Sequence, residues 1–142
     1  PAGMIDRLPV LPMSSFATLP LSLAPAVVAP DGSDVRVLLG LAGGSMAHFS
    51  LSAAKVAKAV RHQTVEEIWF VVAGRGEMWR KQGQREETVS LEPGLCLSIP
   101  VGAHFQFRAA RDEGLSAVAI TMPPWPGERE AVFVTGPWKP TE

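Results

Sequence analysis

One cysteine among 142 residues, a net charge of -1 and the absence of any long apolar run already exclude several classes. Cys96 cannot close an intramolecular disulfide, which fits a reducing compartment. It lies in the apolar run Leu95–Ile99, where a small buried filler is expected rather than a nucleophile. No stretch reaches the length of a membrane span. The N-terminal residues lack the basic-then-apolar order of a signal peptide, although Leu21–Val28 is moderately apolar. A cytoplasmic protein with no membrane partner is therefore expected. The charges are mixed in sign, and the longest basic cluster is Arg80-Lys81. That is not the footprint of a nucleic-acid binder. Internal repeats and low-complexity tracts are also lacking.

What is present indicates a single all-β domain. Hydrophobic residues make up 46% of the chain, too many for disorder. Thirteen glycines and thirteen prolines are spread between apolar runs, as turns are between short strands. Strand-forming runs are Val35–Leu41, Ser45–Leu51, Glu67–Ala73, Glu77–Lys81, Glu86–Leu91, Leu95–Ile99, His104–Arg108 and Leu115–Met122. Turn signals separate them at Gly43-Gly44, Gly74-Arg75-Gly76, Gln82-Gly83-Gln84, Glu92-Pro93-Gly94 and Pro100-Val101-Gly102. Residues 52–58 have helical propensity but are too few and too hemmed in by strands, so a loop is expected. This spacing predicts an antiparallel jelly roll or barrel over residues 35–122. Residues 1–34 are expected to form an extended arm pairing with a barrel edge or a second subunit. Residues 123–142, with Phe133 and Trp138, are expected as a tail packed outside.

Two stretches combine strands with chemistry. In residues 59–76, His62 precedes the adjacent carboxylates Glu66 and Glu67. Strand parity puts Glu67 on the face of Trp69 and Val71, inside, and Glu66 outside. A buried carboxylate needs a metal, a cation or a hydrogen bond, and otherwise its pKa rises into the range of a general acid or base. The second stretch, 92–108, carries His104, Gln106 and the aromatic Phe105 and Phe107. The third histidine, His48, shares a strand face with Met46 and Ser50 and could approach His62 only from a neighbouring strand. Trp69 and Trp79 are candidates to stack on a ligand, with core filling as the commoner use.

These stretches resemble the two motifs of the cupin family. In the first motif His62 matches the second histidine, Glu67 the glutamate and Gly74 the closing glycine, with the family's spacing throughout. Val60 replaces the first histidine and Ala54 the opening glycine. In the second motif Gly94, Pro100 and Gly102 match, while Phe105 and Ala109 occupy the histidine and asparagine positions and His104 falls one residue early. The resemblance implies a double-stranded β-helix, a jelly-roll barrel with extended N- and C-terminal arms, and a homodimer made by exchange of strands or tails. It also implies a small-molecule ligand in the barrel and a metal site for iron, manganese, nickel or zinc, here reduced to His62, Glu67 and His104, or lost altogether. In the family register Phe105 and Phe107 face inward. A slip of one residue would instead turn His104 and Gln106 into the pocket, and that polar wall is expected here. The catalytic candidates are thus His62, Glu67 and His104. The ligand-binding candidates are His48, Trp69, Trp79 and Gln106. An enzyme of isomerase, cyclase or lyase type is expected, beside two alternatives: a non-catalytic ligand sensor, or a dimerisation module whose barrel is filled by its aromatic residues.

Overall fold

Short apolar runs punctuated by glycine turns fold the chain into two facing antiparallel sheets. The computed structural model describes residues 15–141, which contain eleven strands. They are β1 (Ala26–Val28), β2 (Asp34–Leu41), β3 (Gly44–Leu51), β4 (Val60–His62), β5 (Glu66–Gly74) and β6 (Gly76–Gln82). The others are β7 (Arg85–Leu91), β8 (Cys96–Ile99), β9 (His104–Ala109), β10 (Leu115–Met122) and β11 (Ala131–Phe133). One sheet has the order β1-β2-β3-β10-β5-β8, the other β11-β4-β9-β6-β7. This is the jelly-roll barrel expected from the sequence. Among the described residues, no helix is long and apolar enough to cross a membrane.

Strand β5 shows how the sequence sets the interior. Glu67, Trp69 and Val71 are buried, while Glu66, Ile68, Phe70 and Val72 are exposed. Facing it from the other sheet are Met78 of β6 and Phe105 and Phe107 of β9, all buried. Leu91, Leu97 and Ile99 complete that end of the core. The same parity corrects the expectation for Cys96. Leu97 and Ile99 of β8 point inward, so Cys96 and Ser98 point outward and the thiol is exposed.

The termini contribute strands as well as arms. Ala26–Val28 pairs with Val35 and its neighbours at the edge of the six-stranded sheet. Ala131–Phe133 pairs with Val60–His62, a short strand that the sequence pattern does not announce. The end of the chain then lies over the outer face of the five-stranded sheet of its own barrel. Thr141 and Val56 bond reciprocally there, Thr141 N–H to the Val56 carbonyl (3.0 Å) and Val56 N–H to Thr141 Oγ1 (2.8 Å). The first fourteen residues of the arm expected over 1–34 lie outside the described residues.

Two backbone positions explain the motif glycines. Gly74 has φ +79°, and a Cβ there would run into the Gly114 carbonyl, so the turn from β5 to β6 requires glycine. Ala54 stands where the family motif opens with glycine, and it keeps the glycine conformation at φ +66°. An L-residue pays for this left-handed geometry in strain. Ala54→Gly is expected to raise the unfolding free energy by about 1 kcal/mol, the left-handed penalty less glycine's larger unfolded-state entropy. Urea melts of the two proteins measure it, and an unchanged or lower midpoint would contradict it.

Candidate functional site

At the end of the barrel opposite the Leu91 and Leu97 packing, the interior is open. A cavity of about 130 Å³ lies between the two sheets. Its walls are mostly apolar, and its polar groups are Asp31, Ser45, His62, Glu67 and Thr121. Among the described residues, no lysine or arginine lines it.

Strand β5 delivers Glu67 and β4 delivers His62 from the opposite sheet, both buried. His62 Nδ1 lies 3.1 Å from Glu67 Oε1. That distance would suit an ion pair, but the surroundings do not. Burial pushes the Glu67 carboxyl up to about 8, against the Trp69 hydrogen bond that lowers it, and the nearby Asp31 raises it further. Burial also pulls the His62 imidazole down to about 4, with Glu130 acting weakly the other way. At neutral pH the stable arrangement is therefore uncharged on both sides, a protonated carboxyl beside a neutral imidazole. The two groups are close but not aligned, and His62 Nδ1 is the buried side-chain atom left without a hydrogen bond among the described residues. An unsatisfied buried nitrogen in a cavity wall is free to meet a ligand.

The rest of the constellation holds this pair in place. Trp69 Nε1–H donates to Glu67 Oε2 (2.5 Å), and the Trp69 ring stacks on Phe49 at 5.0 Å. Phe105 and Trp125 approach the His62 ring edge-on at 5.1 and 5.0 Å. Trp125 is partly exposed at the mouth of the cavity. Its backbone N–H donates to Ser45 Oγ (3.0 Å), and that hydroxyl bonds Thr121 Oγ1 (2.7 Å). Behind His62, Glu130 accepts bonds from Thr64 N–H (2.6 Å), Thr64 Oγ1–H (2.5 Å) and Val65 N–H (2.9 Å), fixing the loop between β4 and β5.

Asp31 belongs to the site although it reads as part of a surface turn in sequence. Its carboxylate is buried in the cavity wall, and Ser33 holds Oδ1 through its N–H (2.9 Å) and Oγ–H (2.6 Å). Burial raises its pKa, opposed by the Ser33 bonds and by Lys58. The cavity therefore has two carboxyl groups, Asp31 and Glu67, and no lining cation.

Four sequence-derived candidates lie elsewhere. His104 is turned away from the cavity, and Phe105 takes the place beside His62. The turn Pro100–Ala103 is full length, closed by Ala103 N–H to the Pro100 carbonyl (3.1 Å), so the one-residue slip does not occur. Gln106 shares the outward parity of His104, yet it is buried because the tail covers it. Its amide donates to the carbonyls of Ala57 and Trp138 (both 2.8 Å) and accepts from Trp138 N–H (3.1 Å). The tail approaches this closely because position 136 is glycine, where a Cβ would collide with the Gln106 side chain. Trp79, opposite Gln106 in the ladder, also faces outward and donates to Glu86 (2.8 Å). His48 lies on the outer face of β3 opposite Arg36, and partial burial, with Arg36 as the lesser cause, lowers its pKa. Only His62, Glu67 and Trp69 of the expected set meet in the cavity.

The donors do not fit the transition-metal centre that the resemblance implies. Val60 and Phe105 stand at two of its three histidine positions, and the Phe105 ring is packed against His62. Among the described residues, no group of three or more His, Cys, Asp or Glu is placed to hold a metal. His62 and Glu67 alone supply two ligands, short of the number such ions take.

No family model and no curated protein sequence matches the chain. Its fold, in contrast, matches many solved structures. A Streptomyces PAC13 variant with uridine superposes with a TM-score of 0.67 at 13% identity, over 85% of this chain and 92% of that one. Pac13 is described as a nucleoside dehydratase. KdgF from Halomonas sp. gives a TM-score of 0.57 at 16% identity, covering 65% of this chain and 81% of its own. A Lactobacillus farciminis oxalate decarboxylase–formate complex gives 0.69 at 13% identity, over 86% of this chain and 38% of that one. At these identities the likeness establishes the fold alone.

Proposed function

We propose that this chain, which has the cupin fold, is an enzyme that moves protons on a small uncharged organic ligand held in the barrel. Glu67 is the general acid and His62 the general base. The observation that supports this most is the buried His62–Glu67 pair itself, 3.1 Å apart in the wall of a mostly apolar cavity. A protonated carboxyl with a pKa near 8 can give up its proton at neutral pH, and a neutral imidazole can take one. Together they suit redox-neutral chemistry. In an isomerisation one proton leaves the ligand for His62 and another arrives from Glu67. In a lyase step His62 takes a proton from carbon, and Glu67 protonates the departing hydroxyl, which leaves as water. A cyclisation uses the same two transfers.

The ligand class follows from the lining. An anionic ligand would meet the Asp31 carboxyl with no lining lysine or arginine to offset it, and would find no charged partner in the neutral His62–Glu67 pair. An uncharged molecule with an apolar body and a hydroxyl or carbonyl group fits better. Its body would lie against Phe49, Trp69 and Trp125, and its polar group would reach His62, Glu67 and Thr121. Asp31 contributes an acceptor for a ligand hydroxyl and opposes ionisation of Glu67. Among solved structures of this fold, the PAC13 complex holds uridine, an uncharged ligand.

Tryptophan fluorescence and thermal shift with size-matched pairs, an uncharged alcohol or ketone against the corresponding carboxylate, test the assignment at pH 7. The uncharged member is expected to bind at least about 10-fold more tightly, the order of a single like-charge opposition in a buried site. Equal or tighter binding of the carboxylate would sink it. Binding without exchange of ligand protons for solvent deuterium would leave a sensor in place of an enzyme.

A further inference from the structure

His104 takes no part in the cavity, and its own surroundings are unusual. It opens β9 on the outer face of the five-stranded sheet, between two cations. Arg61 of β4 is its cross-strand neighbour on one side and Lys81 of β6 on the other. Strand parity puts all three on that face, since Val60 and His62 of β4, Phe105 of β9 and Met78 of β6 take the interior. Arg61 and His104 are half-buried, and Lys81 is exposed.

Elsewhere on this face the outward polar groups of β9 have partners. Arg108 pairs with Glu77 at 2.6 Å, and its guanidinium lies 4.1 Å from the centre of the Trp138 ring. Gln106 is satisfied by Ala57 and Trp138. The His104 row has no such arrangement. Among the described residues, no hydrogen-bond partner and no carboxylate oxygen within 4.0 Å serves the side chain of Arg61, His104 or Lys81. The row ends at Glu86 of β7, opposite Lys81. That carboxylate accepts the Trp79 Nε1–H bond at 2.8 Å instead.

Like charges set side by side across strands destabilise a sheet. Here two permanent cations flank an imidazole on consecutive strands without a counter-charge. Neighbouring strands are about 4.8 Å apart, so the Arg61 and Lys81 backbones are separated by roughly 10 Å with His104 midway. Both side chains are long enough to converge over the imidazole and to gather their N–H donors around one point. A guanidinium fork matches two oxygens of a phosphoryl group, and an ammonium reaches a third. A carboxylate has only two oxygens, enough for the fork alone.

We propose that Arg61, His104 and Lys81 form a binding site for a phosphoryl group, free phosphate or the phosphate of a small phosphorylated molecule, on the outer face of the five-stranded sheet. The site is separate from the cavity, which lies on the other side of the same strands and is lined by no lysine or arginine among the described residues. It does not depend on the reaction assigned to His62 and Glu67. A bound phosphate neutralises the row and stabilises the fold by mass action.

Phosphorus-31 NMR and urea melts in a phosphate-free buffer at pH 7 test it, with inorganic phosphate and glycerol phosphate as probes and sodium chloride of equal ionic strength as control. The wild type is expected to bind a phosphate probe with a Kd on the order of 1 mM or tighter, the strength of two or three charge-assisted hydrogen bonds. Its urea midpoint is expected to rise with the probe and not with chloride. Tighter binding of the ester identifies a phosphorylated molecule as the occupant, and equal or tighter binding of inorganic phosphate identifies the free ion. Arg61→Gln and Lys81→Gln are each expected to weaken binding by about 10-fold or more. Both should leave the probe-free midpoint unchanged or higher, because each removes a cation from an uncompensated row. A midpoint that rises no more with phosphate than with chloride would overturn the proposal. So would wild-type affinity in both variants, which would mean a nonspecific ionic effect.

Discussion

Replacing Glu67 by glutamine is expected to stabilise the protein increasingly as the pH rises from 4.5 toward 8, while removing about 10³-fold of its turnover. The side chains are close in shape. The glutamine carbonyl can accept the Trp69 Nε1–H bond that Glu67 Oε2 accepts now. What changes is the proton. The folded-state pKa of Glu67 is raised from 4.5 to about 8, so between those values the native state binds a proton that the unfolded chain releases. This group's contribution to stability is complete below pH 4.5 and is lost as the pH climbs through 8. The loss approaches ~1.4 kcal/mol per pH unit in that window. His62 has the opposite sign. Its pKa falls from 6.5 to about 4, so stability rises with pH between those values and is then constant. Asp31, also raised, adds to the alkaline loss in both proteins, so the difference between wild type and Glu67→Gln isolates Glu67. Urea melts at several pH values measure it. Parallel pH profiles for the two proteins would mean that Glu67 is not held protonated by the fold.

The second large effect is expected at Glu130, which lies outside the cavity. Glu130→Ala should cost about 3 kcal/mol of unfolding free energy, because it removes a carboxylate that accepts three charge-assisted bonds from Thr64 and Val65. Those bonds set the loop that carries the chain from His62 to Glu67. Ligand affinity should fall with stability, since the two groups would lose their common anchor. The pKa of Glu130 is lowered chiefly by the bonds from Thr64 and Val65, against the effect of burial, and to a lesser degree by His62. Its contribution is therefore present above the usual carboxylate value and is lost on acidification through the folded value. A loss well under 1 kcal/mol in urea melts would show that solvent replaces these bonds at no cost, and that the loop is held by other means.

The sequence made some of this legible, for identifiable reasons. Spacing fixed His62, Glu67 and Gly74, because turn lengths and strand parity are local properties, and β5 alternates as its residues dictate. The conformation of Ala54 shows the limit of matching residue types, since the backbone keeps the glycine geometry without the glycine. His104 and Phe105 were exchanged because a single residue in a turn reverses a whole strand, and only the closed Pro100–Ala103 turn decides the matter. Gln106 is buried by a tail that arrives more than thirty positions later, so local pattern gives it a polar role but not its partner. Asp31 and Trp125 were missed for the same reason. An Asp-Gly-Ser turn and a proline-flanked tryptophan both read as surface, and only the long-range folding of the β1–β2 turn and of the chain after β10 brings them to the cavity. Cys96 was read as core because it sits in a largely apolar run, and only the register of β8 against β5 shows that Leu97 and Ile99 take the interior and leave the thiol outside.

Titrating the Glu67 carboxyl is the most direct test of the central claim. Carbon-13 NMR of the labelled side-chain carboxyl, assigned by its absence in Glu67→Gln, follows protonation across the range from 4.5 to beyond 8. The predicted result is a carboxyl that is still protonated at neutral pH, with a midpoint near 8. A midpoint near 4.5, the ordinary value, would mean an ionised Glu67 at neutral pH and would contradict its assignment as the acid of the pair.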